Sequence, residues 1–227
     1  MYFNRQRLWA DGILFPNHRQ YLFVACNATE SHNSLTLTNN FKNFIRQITP
    51  ISDTEFGQTV VFFKEQTLKK GDFFVQQDKI CRQIAFINKG TLRTYYHSEI
   101  GEEITSCFCT ENNFTTSYRS FILQQPSHLS IQALEETELY VIEYEQLQNL
   151  YRISPIWQNV GRTITEKEYI VMEQYASVLN NETAKVKYLR LLKEQPQIVQ
   201  KVSVKHIASY LGITARTLSR IRREIKQ

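Results

Sequence analysis

The sequence predicts an α+β protein: an antiparallel β-barrel of the jelly-roll type, then a long helix, then a C-terminal helix-turn-helix. Three observations predict it. Seven short strand-like runs lie between residues 66 and 142, with turn residues between them. Beyond Pro155 the alternation stops and apolar residues recur at intervals of seven. The final segment, residues 204–227, reads as two short helices joined at Gly212, the second rich in arginine.

Residues 1–37 show no helical or strand period, and no function is assigned to this extension. Regularity begins with Phe41, Phe44, Ile45 and Ile48, the spacing of a short amphipathic helix. Ser52 or Asp53 then offers a cap for a second helix over 55–61. Strands are expected over 66–68, 73–75, 83–87, 91–96, 103–109, 129–134 and 138–142. Turn residues separate them at Gly71-Asp72, Asn88-Lys89-Gly90, Gly101 and Asn112-Asn113. Closure into a barrel removes the exposed edges that such short strands would otherwise leave.

The long helix carries Trp157, Ile164, Val171 and Val178 seven apart, with Val160 beside them. Such a stripe suits pairing with a second copy of the chain, although Lys167 and Gln174 interrupt the alternate positions. A helix packed on its own barrel uses the same pattern. Tyr169, Ile170, Met172 and Tyr175 form a second face, expected to turn toward the barrel. Asn180-Asn181 breaks the helix and another is expected over 183–192, before Pro196. The predicted organisation is therefore an extension at 1–37, a barrel at 38–152, a long helix at 153–181 and a helix-turn-helix domain at 182–227.

In that last domain each residue suits a different local demand. Ala208 is small where two helices cross, Gly212 allows a positive φ in the turn, and the Thr214 hydroxyl is placed to cap the second helix. Ile207, Leu211, Ile213, Leu218 and Ile221 fall on the inner faces, leaving Arg216, Ser219, Arg220 and Arg223 outside at helical spacing. Residues 182–227 hold eleven Lys or Arg against three Asp or Glu, whereas the rest of the chain holds sixteen against nineteen. Basic charge confined to one small domain is the footprint of a phosphate-binding face, so double-stranded DNA is the expected partner.

With 42% apolar and 22% charged residues the composition is that of a globular protein. No apolar run approaches a membrane span, so no membrane partner and a cytoplasmic location are expected. Histidines at 18, 32, 97, 128 and 206 form no metal-ligand pattern, and no metal or cofactor is expected. Cysteines at 26, 81, 107 and 109 form no CxxC pair. Cys107-Phe108-Cys109 on a strand would place two thiols on one face, which suits a redox or metal role, although buried cysteine is more commonly a small hydrophobe.

The run from His206 to Arg222, with Lys70-Gly71-Asp72 and residues 86–93, resembles the Crp/Fnr superfamily of bacterial transcription regulators, in the form found in Bacteroidetes-type bacteria. The resemblance spans residues 38–227. It implies a cyclic-nucleotide-binding-like barrel, a homodimer, operator DNA and RNA polymerase as partners, and no enzymatic activity. Thr214, Thr217 and Arg223 would meet phosphates, while Arg216, Ser219 and Arg220 would face base edges. Ala215-Arg216 stand where many members carry Arg-Glu, so a different operator is implied. Family members that bind cyclic nucleotides carry a phosphate cassette with Gly-Glu and Arg-Ser. Here residues 113–130 contain no glycine and Ser127-His128 replace Arg-Ser, so the resemblance implies an effector other than cAMP or cGMP, or none. Tyr118, Arg119 and Tyr175 are the candidate effector contacts. The rival reading is a cupin-like small-molecule-binding protein or metal-dependent enzyme; as an enzyme it would have to draw on His97 and His128, the only barrel histidines.

Overall fold

The computed structural model describes residues 34–179 and 182–226, with side chains over 39–173 and 182–225. Helices α1 (Ser34–Ile48) and α2 (Asp53–Val60) open the described chain. The Ser52 hydroxyl accepts from the Glu55 N–H while the Glu55 carboxylate accepts from the Ser52 N–H, a capping box that fixes the start of α2. Phe41 on α1 is fully buried. Its ring lies 4.8 Å from Phe86, stacks on Tyr140 at 5.5 Å and reaches Trp157 at 6.1 Å. Helix α1 thus belongs to the barrel core, and it begins at Ser34, inside the segment in which no period is evident from sequence.

Eight strands follow in two four-stranded antiparallel sheets. In chain order they are β1 (Lys64–Leu68), β2 (Phe73–Val75), β3 (Gln83–Lys89), β4 (Thr91–His97), β5 (Glu103–Thr110), β6 (Phe114–Thr115), β7 (Ser130–Ala133) and β8 (Thr137–Glu143). One sheet has the order β1-β8-β3-β6 and the other β2-β7-β4-β5, the jelly-roll arrangement. Ala85, Ile87, Leu92, Ile131, Ala133 and Leu139 fill the space between the sheets. Gly90, at φ +104°, joins β3 to β4 where a Cβ would stand 2.8 Å from the Glu136 carbonyl oxygen. Strand β6 and the short helix α3 (Tyr118–Leu123) lie where the sequence showed no period.

Helix α4 (Tyr144–Ile153) leads into the long α5 (Pro155–Leu179). Gly161 lets the two pack closely, since a Cβ there would lie 2.7 Å from Cζ of Tyr151. Two expectations for α5 are corrected. Trp157 and Val160 are 2% and 1% exposed and belong to the chain's own core, with Ile164 packed against it, so these three do not form a surface seam. Conversely Tyr169, Ile170 and Met172 are 69%, 51% and 69% exposed and do not cover the barrel. Burial is confined to the first turns of α5, where Trp157 enters the Phe41 cluster; residues 165–173 are exposed on every face of the helix. Val171 is exposed with them, whereas the side chains of Tyr175 and Val178 lie outside the described residues.

Four helices complete the fold: α6 (Ala184–Glu194), α7 (Pro196–Lys201), α8 (Val204–Leu211) and α9 (Ala215–Lys226). The Thr183 side chain accepts from the Val186 N–H to start α6. Pro196 opens α7, since a first-turn residue gives no N–H to the helix. Tyr188, Leu191, Ile198, Ile207, Leu211, Leu218 and Ile221 form a second core, separate from that of the barrel.

Candidate nucleic-acid interface and effector region

Helix α8 ends at Gly212, which adopts φ +69° and ψ 33°, and its N–H bonds back to the Ala208 and Ser209 carbonyls. Nothing lies within 4 Å of the position a Cβ would take there, so the glycine serves backbone conformation rather than space. The chain re-enters a helix at Ala215, with the Thr214 hydroxyl accepting from the Thr217 N–H at 3.1 Å. Ala208 is buried and accepts from the Ile213 N–H. Leu218 and Ile221 turn inward, so the opposite face of α9 is set by helical geometry. Arg216, Ser219, Arg220 and Arg223 are all exposed there, together with Thr214, while Thr217 is half-buried.

The Ser219 hydroxyl donates to the Ala215 carbonyl, which leaves its oxygen able to accept. Arg220 meets Glu224 only at 4.0 Å, with its side chain 69% exposed. Arg222 behaves differently: its Nε donates to the Tyr188 hydroxyl at 3.1 Å, and its guanidinium lies over the same ring. It holds α9 to α6.

Helix α8 also binds the barrel, a contact that no local pattern in the sequence indicated. Strand β5 is a sheet edge, and Ser209 occupies it. The Ser209 hydroxyl accepts from the Thr105 N–H at 2.9 Å and donates to the Glu103 carbonyl at 2.8 Å, doing for β5 what a neighbouring strand would. Beneath it Arg93 is 1% exposed. Its Nε donates to the Thr105 hydroxyl at 2.8 Å, its Nη1 to the Glu103 carboxylate at 2.6 Å, and it lies 4.3 Å over the Tyr95 ring. That hydrogen bond holds the Glu103 carboxyl below its usual range, while burial, then Arg93, lowers the pKa of His206. Phe108 packs on Tyr210 at 5.4 Å, and Lys201 pairs with Glu135 at 3.3 Å. The helix-turn-helix thus covers this part of β4 and β5.

In the barrel, residues 113–130 form β6, α3 and a serine network. Ser127 is buried, accepts from the Leu129 N–H, and donates toward the Ser117 hydroxyl and the Leu129 carbonyl. Ser120 accepts from the Cys81 N–H and donates to the Gln125 carbonyl. These hydroxyls are committed to the protein. Tyr118 and Arg119 on α3 are exposed. Cys107 and Cys109 lie on the face of β5 that also carries their partners on β4, Thr94 and Leu92, with the sulfurs 3.9 Å apart. Among the described residues no group of three or more His, Cys, Asp or Glu side chains is arranged to hold a metal. No helix among them is long and apolar enough to cross a membrane.

A jelly-roll barrel, followed by a long helix and a helix-turn-helix, defines the class of fold. Residues 65–154 match the family model of the cyclic nucleotide-binding domain. The chain is similar to FixK2 from Bradyrhizobium japonicum, with 19% identity, a TM-score of 0.63, and coverage of 72% of this chain and 84% of that one. It is also similar to the c-di-GMP-responsive global regulator CLP of Xanthomonas campestris, at 16% identity and a TM-score of 0.61, covering 75% and 89%. A transcriptional regulator of the Crp/Fnr family from Eubacterium rectale aligns at 21% identity and a TM-score of 0.59, covering 78% and 84%. Comparison with curated protein sequences finds no match. The chain thus has the fold of Crp/Fnr-type transcription regulators, with a cyclic-nucleotide-binding-type barrel.

Proposed function

We propose that this chain is a non-enzymatic, cytoplasmic, sequence-specific transcription regulator of the Crp/Fnr type, acting on double-stranded DNA as a homodimer. The observation that carries the reading is the division of α9, whose inner face is buried through Leu218 and Ile221 while Arg216, Arg220 and Arg223 stand exposed. Arg220 and Arg216 reach bases, since a guanidinium pairs with two acceptors of guanine in the major groove. Ser219 stands beside them. Thr214, Thr217 and Arg223 contact phosphates together with the α9 N-terminus. RNA polymerase is the expected protein partner of such a regulator.

Dimerisation runs along the outer half of α5. Tyr169, Ile170, Val171 and Met172 are exposed there, and Val178 continues the stripe in sequence. Two recognition helices must meet half-sites about one DNA turn apart, roughly 34 Å, which a symmetric helix pair provides.

The barrel takes an effector other than cAMP or cGMP, or serves dimerisation alone. Supporting this, Ser127 is hydrogen-bonded within the protein and Arg93, the buried guanidinium of β4, is already bound to Glu103 and Thr105. Tyr118, Arg119 and Tyr175 remain the effector candidates. Calorimetry with either cyclic nucleotide should show no micromolar binding. The function is tested by selecting random duplex DNA on the purified protein and sequencing the bound pool: a palindrome with half-sites one turn apart is expected, and a pool without enrichment contradicts the reading.

A further inference from the structure

Strand β5 carries two neighbouring thiols on one face and the anchor of the helix-turn-helix on the other. The Cys107 and Cys109 sulfurs are 3.9 Å apart and hydrogen-bonded, and both thiols are free. Between them Phe108 points to the opposite face, where it is buried in the second core against Tyr210. Cys81, the other free cysteine among the described residues, is buried and bonded to the Gln83 carbonyl and Thr116, away from oxidants.

We propose that Cys107 and Cys109 form a two-electron redox site, in which a peroxide closes an intrastrand disulfide and Phe108 transmits the closure to the helix-turn-helix. The relay to DNA rests on the function proposed above; the thiol chemistry does not.

Geometry allows the step. A disulfide needs the sulfurs about 2.05 Å apart with a twisted dihedral, which a flat strand resists. Strand β5 is irregular at this place: its register against β4 shifts between Thr94 and Tyr95, leaving Ser106 as an extra residue beside Cys107. Its other edge has no strand neighbour. Solvent reaches Cys107, while Cys109 is half-buried against the barrel core, the usual division between an attacking and a resolving thiol. The hydrogen bond from Cys109 also brings the Cys107 thiol down to about 7, and the Cys109 thiol rises correspondingly. The charge of Glu168 on α5 opposes ionisation of both.

The balance closes with hydrogen peroxide as oxidant. The Cys107 thiolate attacks one peroxide oxygen; the O–O bond breaks, hydroxide leaves and takes up a proton as water, and Cys107 becomes a sulfenic acid. The Cys109 sulfur then attacks Cys107; the S–S bond forms, the S–O bond breaks, and the departing hydroxide takes the Cys109 proton. Two thiols and one peroxide give one disulfide and two waters. Drawing the sulfurs together buckles β5 at Phe108, next to Thr105 and Glu103, where Ser209 is bound.

The test uses the full chain, reduced and then treated with equimolar hydrogen peroxide. Intact mass should fall by two hydrogens, with peptide mapping placing the bridge between Cys107 and Cys109. Cys81→Ser should behave alike, whereas Cys109→Ser should stop at a sulfenic acid trapped by a cyclic dione. Amide exchange over residues 204–211 should then rise several-fold on oxidation of the wild type and stay unchanged in Cys109→Ser. Two thiols surviving peroxide, or a bridge to Cys81 or Cys26, would overturn the site; closure with unchanged exchange in α8 would overturn the relay. Neither readout requires DNA, so a chain that binds no duplex would fail the regulator reading without affecting this test.

Discussion

The Ser209 hydroxyl bridges the Thr105 N–H and the Glu103 carbonyl across the free edge of β5, joining a helix of the helix-turn-helix to a strand of the barrel. A β-edge leaves alternate backbone groups unpaired, and one hydroxyl, which both donates and accepts, satisfies two of them. Ser209→Ala leaves both without that partner. We expect a loss of about 1 kcal/mol, the net value of a typical hydrogen bond, and faster amide exchange at Thr105 with no change at β3 or β8.

Trp157 is buried and Met172 exposed on one helix, which separates core from the proposed dimer surface. Trp157→Ala removes a side chain from the Phe41 cluster and should cost about 3–5 kcal/mol of stability, read as a lowered denaturation midpoint. Tyr169→Glu with Met172→Glu should leave that midpoint nearly unchanged but convert a dimer to a monomer in light scattering. A dimer that survives would place the interface elsewhere.

Acid should loosen the contact between α8 and the barrel. Burial, then Arg93, lowers the pKa of His206 from its ordinary 6.5, with Lys205 adding to the effect and Glu103 opposing it. The docked form therefore prefers neutral histidine: its contribution is complete above pH 6.5 and is lost as pH falls below. The Glu103 carboxyl, lowered from 4.5 chiefly by its hydrogen bond from Arg93, adds a second loss in the acid range. Exchange protection in α8 should decline from neutral pH downward after correction for intrinsic rates. His206→Gln should remove the upper part of the decline and leave the lower.

Two glycines should differ in their response to alanine. At Gly212 there is open space and only a left-handed backbone, so the cost should be about 1–2 kcal/mol. At Gly90 the same φ penalty is joined by collisions with Thr137 and the Glu136 carbonyl oxygen. Gly90→Ala should be markedly the less stable in thermal denaturation.

What the sequence made legible follows from locality. The seven strand-like runs, the Ser52 cap, the Gly212 turn and the inner and outer faces of α9 are encoded within a few residues, and each is found where expected. Which part of α5 is buried is not local information. Seven-residue spacing identified a stripe containing Trp157 and Val171, but the stripe splits between core and solvent because α1, more than a hundred residues earlier, supplies Phe41 as the partner of Trp157. The burial of Arg93 is likewise non-local: helix α8, which packs on that part of the barrel, comes from the far end of the chain. Helix α3 was missed because 118–123 is too short to show a period, and Gln124 closes it with a positive φ usually supplied by glycine.

On DNA, single substitutions should divide by role. Arg220→Ala should relax preference at one base position per half-site, at about 1–3 kcal/mol of discrimination. Arg223→Ala should weaken all sequences alike and lower the salt slope by about 1.

The central claim is that the exposed face of α9 binds duplex DNA. The most direct measurement is the affinity of the wild type and of Arg216→Ala/Arg220→Ala/Arg223→Ala for a mixed-sequence duplex over a range of salt concentrations. Binding should fall steeply with salt in the wild type and be nearly abolished, with a shallow slope, in the triple variant. Equal affinities and equal slopes would contradict it.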